Sequence, residues 1–440
     1  MKLVLDVENT VNDRGGKMHL DPFEPSNKLV QVGFKNVDIP TERFMLTFDH
    51  NEYKDIRGTN SKLVQAALDA TSLLIMHNAQ HDLMWLWASG FTYEGDIWDT
   101  MLAEYVLLRG QKEPLSLGAC AERRQLAFQK DNTLKTYLKN GFNVDEMPLD
   151  ELTYYLGCDL DTTGALYEDQ VKDYADPSST GMITVRDTTF NVCKTLTRMY
   201  MKGIKVDRDA LNSVRKLFEE ELAGIEDRLS TQVKELMGDT PINLNSPEQM
   251  SQVVFSRKLN NKKEWVGLFD FANTPKEFKA TIAANTETLT KTSAFTCPTC
   301  SGTGKTFKTK KDGSLFAKGN KCVDCDARGY QLKKTNVMAG LGFTPPSKTW
   351  ITANGFGTGK DNLDVLISTA KDRGNDNAIG FLTDLKRLSA VSSYLSSFVE
   401  GIDVFTKADA DILHVSLTQH ITSTGRFSGR NPNMQNMPRG

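Results

Sequence analysis

The sequence predicts an α/β protein: a mixed sheet with helices at the N-terminal end, then a mainly α-helical region that carries an inserted cysteine module. Three observations carry this. Short apolar runs alternate with helical patterns over the first 176 residues, long charged helical patterns follow from about residue 190, and two C-x-x-C pairs interrupt the second region. At 440 residues the chain is too long for one core. We expect four segments: 1–176, 177–260, an insertion at 261–340 with the cysteine module near 295–330, and 341–440.

The first element is the stretch MKLVLDVENT. Leu3, Val4, Leu5 and Val7 make a strand that can be buried on both faces, interrupted by Asp6 and Glu8. Positions two apart share one face of a strand, so the two carboxylates sit side by side. Buried together they repel, and a divalent metal is the usual compensation; two solvated acids at a strand end is the alternative. Strands follow near Leu29–Asn36 and Arg43–Phe48, a helix at Ser61–Ala70, and a buried strand at Leu73–His77. There Asn78 is placed to cap the next helix, with Asp82 one turn in, facing back to the strand edge where ligand sites of open sheets gather. Asp99 caps a further helix, and Leu115–Arg123 reads as another. A long helical pattern then runs from Pro148 to Tyr174, where Tyr155 and Asp159, four apart, lie on one face.

Composition narrows the class. With 39% hydrophobic and 25% charged residues the chain reads as an ordinary globular protein. No run of about 18 apolar residues offers a membrane span, and the N-terminus carries acids by position 6, unlike a signal peptide. Three of the seven cysteines are isolated and four form the two pairs, which suits a reducing, cytoplasmic setting. The net charge of −3 divides unevenly: residues 1–180 carry 17 Lys/Arg against 29 Asp/Glu, residues 181–440 carry 36 against 27. The acidic part suits a carboxylate–metal site and the basic part a polyanion.

Asp6-x-Glu8, Asn78-x-x-x-Asp82 and Tyr155-x-x-x-Asp159 resemble, in order, the three exonuclease motifs of the DEDD superfamily, specifically the proofreading domain of family A DNA polymerases. The resemblance implies an RNase H-like fold and a 3′→5′ exonuclease. Asp6, Glu8, Asp82 and Asp159 would bind two Mg²⁺ (or Mn²⁺), and Tyr155 would orient or help deprotonate the attacking water. Tyr154, five before Asp159, stands where another branch has His, so the tyrosine branch fits. Asn78, beside the acids, is expected at the DNA, and Asp99 matches a structural acid of these domains.

Beyond Asp176–Gly181, the best linker candidate, the resemblance continues. Phe190–Met201 is helical, Gly203–Asp207 resembles the segment leading into the polymerase thumb, and Arg208–Met237 reads as one or two long helices. Asn243–Gln249 resembles a thumb signature, with Ser246 as cap, Pro247 at the first helical position and Gln249 at the capping-box position. Leu341–Pro345, Asn362–Ile367 and Phe381–Phe398 are similar to later thumb segments. Thr424, Arg426, Ser428, Asn433, Gln435 and Asn436 fall on the motif of the thumb–palm junction that grips primer–template DNA.

Cys297-x-x-Cys300 and Cys322-x-x-Cys325 enclose 21 residues, a spacing for one structural Zn²⁺ on four thiolates. The first pair opens a C-x-x-C-x-G-x-G run similar to the zinc repeat of J-domain chaperones, a convergent knuckle geometry since no J-like helical hairpin precedes it. Between Lys291 and Lys334 there are ten Lys/Arg against three Asp/Glu, so the module suits DNA phosphates or a processivity partner.

No palm or fingers motif of the family occurs, so polymerase activity is not expected of this chain alone. We expect a DNA-replication protein of phage type: a proofreading exonuclease acting on single-stranded 3′ ends of primer–template DNA, with palm and fingers on a second polypeptide or lost by truncation. The alternatives are a DNA-binding, partner-recruiting subunit with a silent exonuclease, and a free-standing RNA-trimming exonuclease.

Overall fold

A computed structural model describes residues 1–14, 17–127, 133–237, 242–255, 290–336, 340–352, 355–406 and 411–437. The chain divides into two compact units, residues 1–212 with 396–440, and residues 213–395.

The first unit is built on a five-stranded mixed sheet. In chain order the strands are β1 (Lys2–Asn9), β2 (Leu29–Asn36), β3 (Arg43–Thr47), β4 (Leu73–Met76) and β5 (Asp96–Asp99). Their spatial order is β3-β2-β1-β4-β5, with β1 central, antiparallel to β2 and parallel to β4. Its apolar residues explain that place: Leu3, Val4, Leu5 and Val7 are all buried. The four-residue strand β5 is the one sheet member without its own sequence expectation, since Asp-Ile-Trp-Asp shows no apolar run. Helices α1 (Thr59–Asp69) and α2 (Ala79–Ala88) flank β4 in sequence, and α3 (Thr100–Leu107) follows β5 directly. The long helix α4 (Leu149–Ala175) lies against the sheet.

One glycine sets how close α4 comes. Gly33 pairs with Asp6 across β1 and β2, and a Cβ there would stand 2.9 Å from Leu156 Cγ and Leu160 Cδ1. A strand glycine of this kind lets another element approach the backbone closely. Gly33→Ala pushes the helix outward and costs about 1–3 kcal/mol through overpacking, which urea denaturation would read.

Asp176–Gly181, expected as a linker, is no open segment. Asp176 caps a 3₁₀ turn at Pro177–Ser179, and helix α5 (Thr180–Lys202) starts at once, inside the first unit. Proline at the first position of that turn and the Asp cap favour a tight corner over a linker. The first unit is closed by its C-terminal segment. Strand Ile204–Lys205 pairs with Ile412–Leu413, and the Arg208 guanidinium bonds Asp403 and Asp411. Beyond it, Ser416–Thr418 and Ser428–Arg430 form a hairpin.

The second unit is helical around Phe255, Phe381, Leu363, Leu366 and Val253. Arg208–Met237 is one continuous helix whose second part enters this unit. Arg228 pairs with Asp384, and Arg387 with Glu221. At Pro247–Phe255, Ser246 Oγ accepts from Gln249 N at 3.4 Å. The reciprocal arm differs from a capping box: Gln249 Oε1 reaches past the cap to accept from Asn243 N at 2.6 Å, because the preceding turn folds back over the helix start. The expected insertion 261–340 falls partly outside the described residues; Thr290–Asn336 is a cysteine-centred hairpin module.

Candidate metal centres

Ligand atoms of Asp6, Glu8 and Asp159 all lie within 4.8 Å of one another. Strand alternation puts Asp6 and Glu8 on the same face of β1, and α4 brings Asp159 over it. Glu8 and Asp159 are buried and Asp6 is half-buried. Tyr155, one helical turn before Asp159, is buried and hydrogen-bonded to that carboxylate. Burial first, then the charges of Glu8, Asp159 and Asp6, holds its phenol well above the ordinary range, so at neutral pH it is a hydrogen-bonding hydroxyl.

Asp82 comes from α2 and lies beside Asp6, whose Oδ1 accepts from Val7 N at 3.1 Å. It is 1% exposed, and its Oδ2 has no hydrogen-bond partner among the described residues. Burial first, then Asp6, Asp99 and Glu8, pushes its carboxyl well above its ordinary value. An orphaned carboxylate oxygen beside three converging acids is a donor set for hard divalent cations. A raised folded pKa stabilises the fold only while the group is protonated. Metal-free stability should therefore fall as pH rises from the ordinary value of 3.8 through the raised one. Thermal unfolding at pH 5 and pH 7.5 should show this fall, and Asp82→Asn should shrink it.

One expectation changes at the edge of this site. Asn78 stands at the cap position of α2 but is left-handed, φ 71°, and its side chain makes no cap bond. The cap comes from Asp99, whose carboxylate accepts from Asn78 N (3.2 Å) and Ala79 N (2.9 Å) as well as Met101 N and Leu102 N. One buried carboxylate thus caps both α2 and α3. Its pKa rises to about 6 because burial outweighs those four donors. The sequence also hid His81, whose Nε2 lies 2.9 Å from Asn9 Oδ1. Burial lowers its pKa to about 4, so it is neutral at physiological pH. Its only sequence signal was its place beside Asp82.

The expected DNA-contact residues of the C-terminal segment lie together on one hairpin and the turn after it. Thr424 and Arg426 are exposed at the hairpin turn, and Thr422 Oγ1 donates to Arg426 O. Ser428 is on the second strand; Asn433 caps a short 3₁₀ turn that holds Gln435 and Asn436. Tyr105 Oη donates to Thr422 O at 2.7 Å and Gln80 Nε2 to Leu417 O at 3.2 Å, anchoring the hairpin within its unit.

In the second unit Cys297, Cys300, Cys322 and Cys325 are buried and clustered. Sγ–Sγ separations of 3.9 Å (Cys297–Cys322) and 3.6 Å (Cys300–Cys325) bracket the roughly 3.8 Å edge of a tetrahedral Zn–S site. Gly329 N donates to Cys325 Sγ at 3.3 Å. The two knuckles are related by a local two-fold. Cys297 N donates to Gly329 O and Cys322 N to Gly304 O. A Cβ on Gly304 would stand 2.2 Å from Ala327 O, and one on Gly329 2.4 Å from Gly302 O. The second run, C-x-x-C-x-A-x-G, thus takes the same backbone path as the first, with Ala327 at φ 64° where Gly302 has φ 88°.

No family model matches the chain. A DNA polymerase of Bacillus phage SP01 is 29% identical over 176 residues, 39% of this chain and 19% of that protein. DNA polymerase I of Synechocystis sp. is 21% identical over 364 residues, 83% of this chain and 27% of that protein. Among solved structures, the POL domain of Pol1 from M. smegmatis, in complex with DNA primer-template and dNTP, superposes with a TM-score of 0.55. That match is 17% identical and covers 99% of this chain and 52% of that one; it bears on fold. The chain spans about a fifth to a quarter of the length of these two curated relatives.

Proposed function

We propose that this chain, a family A DNA polymerase-like protein, is a metal-dependent 3′→5′ DNA exonuclease with a role in replication. The observation that carries the reading is the convergence of Asp6, Glu8 and Asp159, with the orphaned Asp82 oxygen beside them. Asp6, Glu8, Asp82 and Asp159 would hold two Mg²⁺ or Mn²⁺. Bound there, such ions activate water and neutralise charge on a phosphodiester. The Tyr155 hydroxyl, fixed by Asp159, orients the water whose oxygen attacks phosphorus as the bond to the 3′ oxygen breaks. The products are a nucleoside 5′-monophosphate and a shortened 3′-OH end; of the water's two protons, one ends on the departing 3′ oxygen and the other in solvent. The exposed Thr424, Arg426, Gln435 and Asn436 suit phosphate and minor-groove contacts of a duplex.

The test is a 5′-labelled DNA with a 3′ overhang, incubated with Mg²⁺ and separately with EDTA. The expected result is a Mg²⁺-dependent ladder. Tyr155→Phe should slow it by about 10²-fold while leaving DNA binding intact. Binding of primer–template without any ladder would overturn the reading in favour of a DNA-gripping subunit with a silent exonuclease.

A further inference from the structure

The cysteine module carries a projecting ribbon that neither the metal nor the module's fold requires. Lys305–Thr306 pairs with Asn320–Lys321, and the ribbon continues through a Thr309–Leu315 bridge to a turn at Gly313. Phe316 N donates to Lys308 O and Lys310 N to Ser314 O, so Lys308, Lys310 and Phe316 share one face. Phe316 is 49% exposed, and Lys310 Nζ stands 5.7 Å from its ring centroid. The opposite face shows Phe307, 40% exposed and lying across Gly319. Lys321 pairs with Asp326, but Lys305, Lys308, Lys310, Lys311 and Lys318 are exposed and make no ion pair among the described residues.

An aromatic ring among exposed lysines pairs a stacking face with positive charge, the combination that single-stranded nucleic-acid sites use. We propose that this ribbon binds single-stranded nucleic acid, with a base stacked on Phe316 and backbone phosphates held by Lys308 and Lys310. Three features select that ligand. The charge is complementary to a polyanion. A ring face matches an unpaired base, whereas a duplex keeps its base faces stacked. Between Lys305 and Lys321 the ribbon has six Lys and no Arg, Gln or His. Lysine acts on phosphate as a point charge, which suits contact with the backbone. The inference stands on the second unit's own residues and does not depend on the exonuclease reading.

The test is fluorescence anisotropy of labelled dT12 with the full, zinc-loaded chain in magnesium-free buffer, where the oligonucleotide is not digested. Phe316→Ala should weaken binding about tenfold and Phe316→Trp should preserve it. Lys308→Glu with Lys310→Glu should weaken it and reduce the salt slope by about 1.4. Zinc content is measured for each variant. Should Phe316→Ala lose its metal, the double lysine variant, altered only at exposed side chains, decides alone. Unchanged dT12 affinity in zinc-loaded variants would overturn the proposal. So would an equal loss of duplex affinity in the same variants, or displacement by poly-glutamate as effective as by dT12, which would mark an acidic protein partner.

Discussion

Asp159→Asn and Asp6→Ala should each lower Mg²⁺-dependent removal of 3′ nucleotides by at least about a thousandfold, equivalent to ~4 kcal/mol of transition-state stabilisation. The magnitude follows from convergence. The two carboxylates and Glu8 are one donor set, with ligand atoms within 4.8 Å of one another, so losing any member dismantles the set. The effects should be strongly non-additive, the double variant being little worse than either single one. Fold should survive. Removing one charge from a buried like-charged cluster relieves repulsion, so metal-free thermal stability at neutral pH should hold or rise. Stabilisation by added Mg²⁺ should be weaker in both variants. Cleavage ladders with melting curves taken with and without Mg²⁺ would check this; retained cleavage in both variants would remove the assignment.

The second large effect is expected at the cysteines. Cys322→Ser, or stripping metal with a strong chelator, should unfold the module, because thiolate–zinc binding in small knuckles supplies about 10–16 kcal/mol of folding free energy. Three buried thiols without metal leave little else to hold Thr290–Asn336 together: the module's own buried side chains are chiefly the four cysteines. Metal analysis should find one zinc per chain before treatment. Limited proteolysis afterwards should cut within 290–336 first, while the sheet-bearing unit stays intact. An unchanged digestion pattern after verified zinc loss would show that the hairpin Thr290–Thr296/Tyr330–Asn336 is self-sufficient.

Much of the site was legible because its signals are local. Strand alternation alone puts Asp6 beside Glu8, helical spacing puts Tyr155 beneath Asp159, and C-x-x-C spacing marks four thiolates. The resemblance then joined segments that no spacing rule joins. What stayed hidden depends on contacts distant in sequence. Gly33 matters because α4 crosses it, and nothing in Val-Gly-Phe tells that helix from any other. Asn78 looked like a cap because residue type favours it; Asp99, 20 residues from Ala79, occupies the amides instead and leaves Asn78 left-handed. Strand β5 is too short and too acidic to stand out. The relation between the two knuckles was obscured by one replacement, Ala327 for glycine, and shows only when the paired carbonyl contacts are seen.

The sheet-bearing unit is discontinuous in sequence, and this bears on how it is made. Its strand Ile204–Lys205 waits for Ile412–Leu413, and Arg208 waits for Asp403 and Asp411. During synthesis the ribosome must deliver the whole of 213–395 before that seam can close. At the usual ~5–20 residues per second the unit stands unsealed for about ten seconds or more, ample time for its intervening helices to fold first. The closure entropy of a loop grows logarithmically with its length, so shortening this one to about ten residues favours the closed seam by about 2–3 kcal/mol. The first unit is thus a natural host for an exchangeable guest: replacing 213–395 by a short flexible loop should leave the carboxylate site assembled, whereas removing 411–437 should not.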